Sequence, residues 1–158
     1  MKVRAEAEVF RRIPLFADCD WAQLQVLAFN CDREEFDEGE TIVKQGAKGD
    51  AAYLILKGRA EVVTTTAGRT RPVAAVEAGS FIGELAMIAG LPYSITAIAV
   101  ISVTAARVPR GLFMRVAEEF PEFGAKVFAA MARKLDGSVN DLMTVKRAFD
   151  EARPFAKR

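Results

Sequence analysis

The chain has 158 residues, 51% of them hydrophobic, with 22 basic and 21 acidic residues and a net charge of +1. That size suits one domain with a proper core, and the balanced charge gives no general attraction to nucleic acid or anionic membrane. There is no histidine and there are two cysteines, Cys19 and Cys31, which excludes Ser-His and Cys-His nucleophilic sites, imidazole zinc sites and a disulfide framework.

No apolar run reaches the ~18 residues of a membrane-spanning helix. The start, Met1-Lys2-Val3-Arg4-Ala5-Glu6, lacks the apolar core of a signal peptide. The expectation is a cytoplasmic chain with two reduced, packed thiols. No metal, cofactor or catalytic residue is expected. An enzyme would need an acid or base in a pocket, and Glu84 is the one candidate with a structural argument.

Residues 6–30 read as helical. The segment Phe10-Arg11-Arg12-Ile13-Pro14-Leu15-Phe16 predicts a helix that Pro14 ends, because the residue before a proline avoids the helical region. Asp20 is placed to cap a further helix, in which Leu24, Leu27 and Ala28 recur at helical spacing.

Over residues 34–109 the texture becomes β-rich. Strands are predicted at Thr41-Ile42-Val43, Ala52-Tyr53-Leu54-Ile55-Leu56, Ala60-Glu61-Val62-Val63-Thr64, Pro72-Val73-Ala74-Ala75-Val76, Ser94-Ile95-Thr96-Ala97-Ile98-Ala99 and Val103-Thr104-Ala105-Ala106-Arg107-Val108. Glycine turns such as Lys57-Gly58 and Ala78-Gly79 fall between them. Regular short strands with such turns indicate a sandwich or rolled barrel.

From Arg110 the pattern is helical again. A first helix covers residues 110–120, and Pro121 fits the opening turn of a second. The second runs to about residue 152, and Gly137 is a candidate break within it. The expected organisation is therefore one domain, 1–158, with helices over 1–33, a β-roll over 34–109 and C-terminal helices over 110–152.

Three blocks carry a resemblance. They are Phe36-Asp37-Glu38-Gly39-Glu40-Thr41-Ile42-Val43-Lys44-Gln45-Gly46, the hairpin from Gly49-Asp50 to Glu61-Val62, and Phe81-Ile82-Gly83-Glu84-Leu85-Ala86 through Leu91-Pro92-Tyr93-Ser94. In this order and spacing the chain resembles the cyclic-nucleotide-binding domain family, in particular the sensor domain of bacterial Crp/Fnr-like regulators without their DNA-binding part. The resemblance implies an α+β, mainly β fold: an eight-stranded jelly-roll or β-roll barrel flanked by N-terminal and C-terminal helices. A cupin jelly roll is the rival, but cupins hold a metal through histidines.

The resemblance also implies a ligand-binding set of Gly83, Glu84, Leu85, Ala86, Tyr93 and Ser94. Gly83 lets a ligand approach the backbone. Leu85 and Ala86 offer N–H groups to a phosphate. Glu84 accepts from a ribose 2′-hydroxyl, and Ser94 donates to an exocyclic oxygen. The family arginine that pairs with the cyclic phosphate is replaced by Tyr93. A tyrosine brings one hydrogen bond and no charge, whereas breaking a buried charge pair costs about 3–5 kcal/mol, or roughly two to three and a half decades of affinity. Tyr93 is either a half-buried loop aromatic or a ring that occupies part of the pocket. Ile95 and Ile98 depart from the pattern too.

Three readings of the pocket follow. It takes cyclic AMP or cyclic GMP weakly, with a cation borrowed from Arg69 or Arg71. It takes an uncharged nucleoside or other small ligand. Or it is vacant or self-plugged, and the domain works through an unidentified protein partner. The expected function is a stand-alone regulatory or sensor domain in which conventional cyclic-nucleotide binding is weak or absent.

Phe128, Met131, Leu135, Ser138, Leu142, Val145 and Phe149 alternate three and four apart. That stripe is either a helix packed on its own roll or a coiled-coil dimer seam; a homodimer through the C-terminal helix is the expectation. No DNA-reading module is expected in the five residues after Arg153, and the basic residues near the end read as a solvated face.

Overall fold

The computed structural model describes residues 2–134. Helix α1 spans Lys2–Arg12 and is followed by a single 3-10 turn, Pro14–Phe16. Ile13 is extended, at φ −76° and ψ 126°, as the following proline ring requires. Pro14 then opens the turn, where its missing N–H leaves nothing unpaired. The helix thus ends just before Pro14, as the proline predicts, and a separate turn follows.

Helix α2 spans Trp21–Asn30. Asp20 precedes it with extended backbone, and its carbonyl oxygen accepts from Gln23 and Leu24, each at 3.1 Å. Its carboxylate makes no capping hydrogen bond, which corrects the expected cap. That carboxylate lies 3.6 Å from Lys126 Nζ instead.

Eight strands follow among the described residues: β1 (Asp32–Phe36), β2 (Thr41–Val43), β3 (Ala51–Lys57), β4 (Arg59–Thr66), β5 (Arg69–Glu77), β6 (Phe81–Ile82), β7 (Thr96–Ala99) and β8 (Val103–Pro109). They form two antiparallel four-stranded sheets, ordered β1-β8-β3-β6 and β2-β7-β4-β5. No ladder joins the sheets, so the roll is open and not a closed barrel.

Alternation along the strands divides the interior in two. On β3, Ala51, Tyr53 and Ile55 face the space between the sheets, together with Ile82, Ala97 and Ala105. Ala52 and Leu54 face the helices, where Phe10, Phe16, Leu24, Leu27, Phe113 and Phe123 pack. The two residues of β6 split the same way: Ile82 goes inward and Phe81 goes to the helical side.

Helix α3 (Glu84–Ala89) lies between β6 and β7. After β8 come α4 (Arg110–Glu119) and α5 (Pro121–Lys134). Met131, predicted at a dimer seam, is fully buried in the chain's own helical-side core. Phe128 is partly buried against the same core. The rest of the stripe, from Leu135 to Phe149, and the candidate break at Gly137 lie outside the described residues.

Candidate functional site

The site is built around α3, a helix of six residues held between two left-handed glycines. Gly83 has φ 79° and Gly90 has φ 70°, conformations that glycine adopts without a Cβ penalty. The helix closes as Leu91 N–H donates to the Ala86 carbonyl at 3.0 Å.

Arg110 secures the far end of this helix. Its Nη1 donates to the Met87 carbonyl at 2.6 Å and to the Ile88 carbonyl at 2.7 Å. Its backbone N–H donates to the Asp50 carbonyl at 2.7 Å. A cation on the last carbonyls of a helix also complements the negative end of its dipole. Arg110 was not among the residues singled out from the sequence. Its place as the first residue of α4 gives no hint that it reaches back to α3.

The segment after α3 is stitched to the β2–β3 connection. Tyr93 N–H donates to the Ala47 carbonyl and Gly46 N–H to the Tyr93 carbonyl, both at 2.9 Å. Gly49 N–H donates to the Leu91 carbonyl at 3.0 Å. These bonds fix the backbone of Tyr93 and set where its side chain points.

Tyr93 points inward. It is 8% exposed and belongs to the core between the sheets. Its hydroxyl donates to the Ala51 carbonyl at 2.5 Å, and the Ala51 N–H donates to that hydroxyl oxygen at 3.3 Å. Its ring lies against Gly83, where a Cβ would fall 2.8 Å from Cε1. Burial pushes the phenol above its ordinary value, and the hydrogen bond to Ala51 only partly offsets this. Tyr93 thus presents an uncharged, already bonded hydroxyl beside Gly83.

The other predicted residues do not all converge on Tyr93. Gly83 touches its ring, and Ala86 shares its core cluster. Leu85 packs on the helical-side core. Glu84 is half-buried and lines a cleft of about 640 Å³ on that same side, together with Arg12, Ile13, Phe81, Ala130 and Arg133. Ser94 is exposed, and its carbonyl accepts from Thr64 Oγ1 at 3.4 Å. Ile95 and Ile98 are half-buried.

Arg69 and Arg71, considered as borrowed cations, are exposed on β5 opposite Thr66 and Thr64. Neither bonds to the residues around α3. A different arginine faces the interior: Arg107 on β8, in register with Tyr53 and Asp32. It pairs with Tyr53 across the ladder, lies 3.8 Å from the Asp32 carboxylate, and its positive charge is felt at the Tyr93 hydroxyl. The period of two along Val103, Ala105 and Arg107 carried that signal. The cysteines are shielded, with Cys19 pushed up to about 11 and Cys31 to about 12 by burial. Among the described residues no cluster of carboxylates and thiols could hold a metal ion. No described helix is long and apolar enough to cross a membrane.

Comparison with known proteins places this geometry in context. A family model described as a cyclic nucleotide-binding domain matches residues 33–120. The chain is 32% identical over 104 residues to a cAMP-dependent protein kinase regulatory subunit of Aspergillus fumigatus, a match over 66% of this chain and 25% of that protein. It spans a quarter or less of the length of such curated relatives. Among solved structures, the N-terminal domain of a transcriptional regulator from Streptomyces coelicolor A3(2) is 28% identical with a TM-score of 0.74, over 84% of this chain and 95% of that one. The fold is shared with the regulatory subunit of a cAMP-independent protein kinase A from Trypanosoma cruzi bound to guanosine, at 22% identity and a TM-score of 0.71, over 95% of this chain and 50% of that one.

Proposed function

We propose that this chain, which belongs to the cyclic nucleotide-binding domain family, is a regulatory domain whose phosphate position is closed by its own Tyr93, so that cyclic AMP and cyclic GMP bind weakly or not at all. The observation that carries this reading is the inward Tyr93, with its ring on Gly83 and its hydroxyl on Ala51. A cyclic phosphate drawn to Gly83 would have to displace a buried ring and would gain no guanidinium at position 93 in exchange. Arg110 is committed to the carbonyls at the other end of α3, and Arg107, whose charge is felt at the Tyr93 hydroxyl, is shared with the Asp32 carboxylate 3.8 Å away.

Calorimetry on a Tyr93→Arg variant tests the reading. Restoring the guanidinium and removing the ring is expected to strengthen cyclic AMP binding by about two decades or more, the weight of a buried charge pair. A variant that binds no better than the parent would show that position 93 is not the deficit.

An uncharged nucleoside is the second reading. It asks for no cation, and the guanosine held by a protein of the same fold favours it. Stabilisation by adenosine or guanosine in a thermal-shift assay, without any by the cyclic nucleotides, is the expected signature. No shift with any nucleoside counts against it. The proposed assembly is a homodimer that acts on a separate protein partner, and light scattering that finds only a 17.2 kDa species at high concentration argues against the dimer.

A further inference from the structure

The cleft that Glu84 lines has the makings of a binding site of its own, on the opposite side of β6 from Tyr93. Its volume of about 640 Å³ lies within the usual range of small-molecule pockets, roughly 300–1,000 Å³. Its walls come from three separate parts of the chain: the end of α1 and the turn after it, the β6–α3 junction, and α5. Ile13, Phe81 and Ala130 give it apolar surface, and Arg12, Arg133 and Glu84 give it charge. Among the described residues the lining thus carries two guanidinium groups and one carboxylate.

Both arginines are available. Arg12 is exposed and has no ion-pair or hydrogen-bond partner among the described residues. Arg133 lies 3.5 Å from the Asp18 carboxylate, with both side chains mostly exposed. Exposed pairs of that kind are weak, so a ligand can compete for Arg133.

We infer that this cleft binds a small amphipathic monoanion, an apolar body with one carboxylate, sulfonate or phosphate-ester head held by Arg12 and Arg133. A ligand there touches α1, the start of α3 and α5 at once, so its binding would tie the cassette to the helices on either side of it. The site needs nothing from the Tyr93 pocket.

Anilinonaphthalene sulfonate is a suitable probe, since it combines fused aromatic rings with one sulfonate and brightens when it leaves water. Saturable binding to the folded chain is expected, falling with added salt. Arg12→Ala and Arg133→Ala should each weaken it about fivefold, the weight of an exposed charge contact. Ala130→Trp should abolish it by filling the cleft, and Phe29→Ser, which alters an exposed apolar residue elsewhere, should leave it unchanged. Phenylnaphthylamine, the same rings without the sulfonate, should bind at least tenfold more weakly. Circular dichroism and melting curves identify any variant that has lost its fold, and Arg12→Ala, at an exposed position, keeps the test intact if Ala130→Trp does not fold. Absence of binding, equal binding by parent and arginine variants, or equal binding of the uncharged analogue overturns the inference.

Discussion

The Tyr93 ring lies against Gly83 so closely that a Cβ on Gly83 would fall 2.8 Å from Cε1. The left-handed glycine that opens α3 and the Tyr93 ring are thus in direct contact. Gly83→Ala should be destabilising through two additive sources: about 1–2 kcal/mol for a Cβ at positive φ, and about 1–3 kcal/mol for overpacking against the ring. In a Tyr93→Ala background only the first should remain. Chemical denaturation of the four proteins in this cycle measures the coupling, and a coupling near zero would mean that the contact carries no energy.

Tyr93→Phe keeps the ring and removes the hydroxyl from Ala51. The Ala51 carbonyl loses its donor from Tyr93, so a loss of about 1–2 kcal/mol is expected. The pocket should stay closed to cyclic AMP, because the ring still fills the space beside Gly83. A Tyr93→Phe variant that gained cyclic AMP binding would locate the block in the hydroxyl and not in the ring.

Arg110 holds two carbonyls at the end of α3. Arg110→Ala should cost about 1.5–3 kcal/mol, the range for hydrogen bonds to a charged group. Hydrogen exchange should quicken at the amides of α3 and of Leu91 before it does elsewhere in the roll. Unchanged exchange there would show that α3 keeps its place without the guanidinium.

The two thiols give a pH dependence of definite sign. Burial raises Cys19 to about 11 and Cys31 to about 12, from an ordinary value of 9.0. The unfolded chain therefore releases these protons first. Their contribution to stability is complete below pH 9 and is lost as the pH rises through 9 toward 12. Denaturation midpoints should fall between pH 8 and pH 10, and less steeply in a Cys19→Ala, Cys31→Ala variant. Equal slopes would remove the thiols from the alkaline transition. In the native chain at pH 8 both should resist alkylation.

The sequence reveals the strands whose two faces differ in chemistry. Along β3, apolar residues face both cores, and the run Ala52-Tyr53-Leu54-Ile55-Leu56 is plain. β1 is hidden, because Asp32-Arg33-Glu34-Glu35 carries no apolar alternation. It is a strand because its backbone pairs with β8, from Asp32 opposite Arg107 to Phe36 opposite Val103. β6 has two residues, too few for any period. That a tyrosine stands at position 93, where the resemblance implies an arginine, is readable from the sequence. The direction of its ring is not, since that depends on Ala47 and Ala51, more than forty positions earlier, which pin its backbone and accept its hydroxyl. Glu84 on the helical side of β6 was equally hidden, as was Arg110 reaching back to α3.

Calorimetric titration of the unaltered chain with cyclic AMP, carried to millimolar ligand, distinguishes a closed phosphate position from an open one most directly. With Tyr93 seated on Gly83 and no guanidinium at position 93, the expected result is no saturable heat, or a Kd near or above about 1 mM, some two to three and a half decades weaker than a micromolar site that keeps its charge pair. A single-site isotherm with a micromolar Kd would contradict it, since the ring would then have to leave Gly83 at little cost.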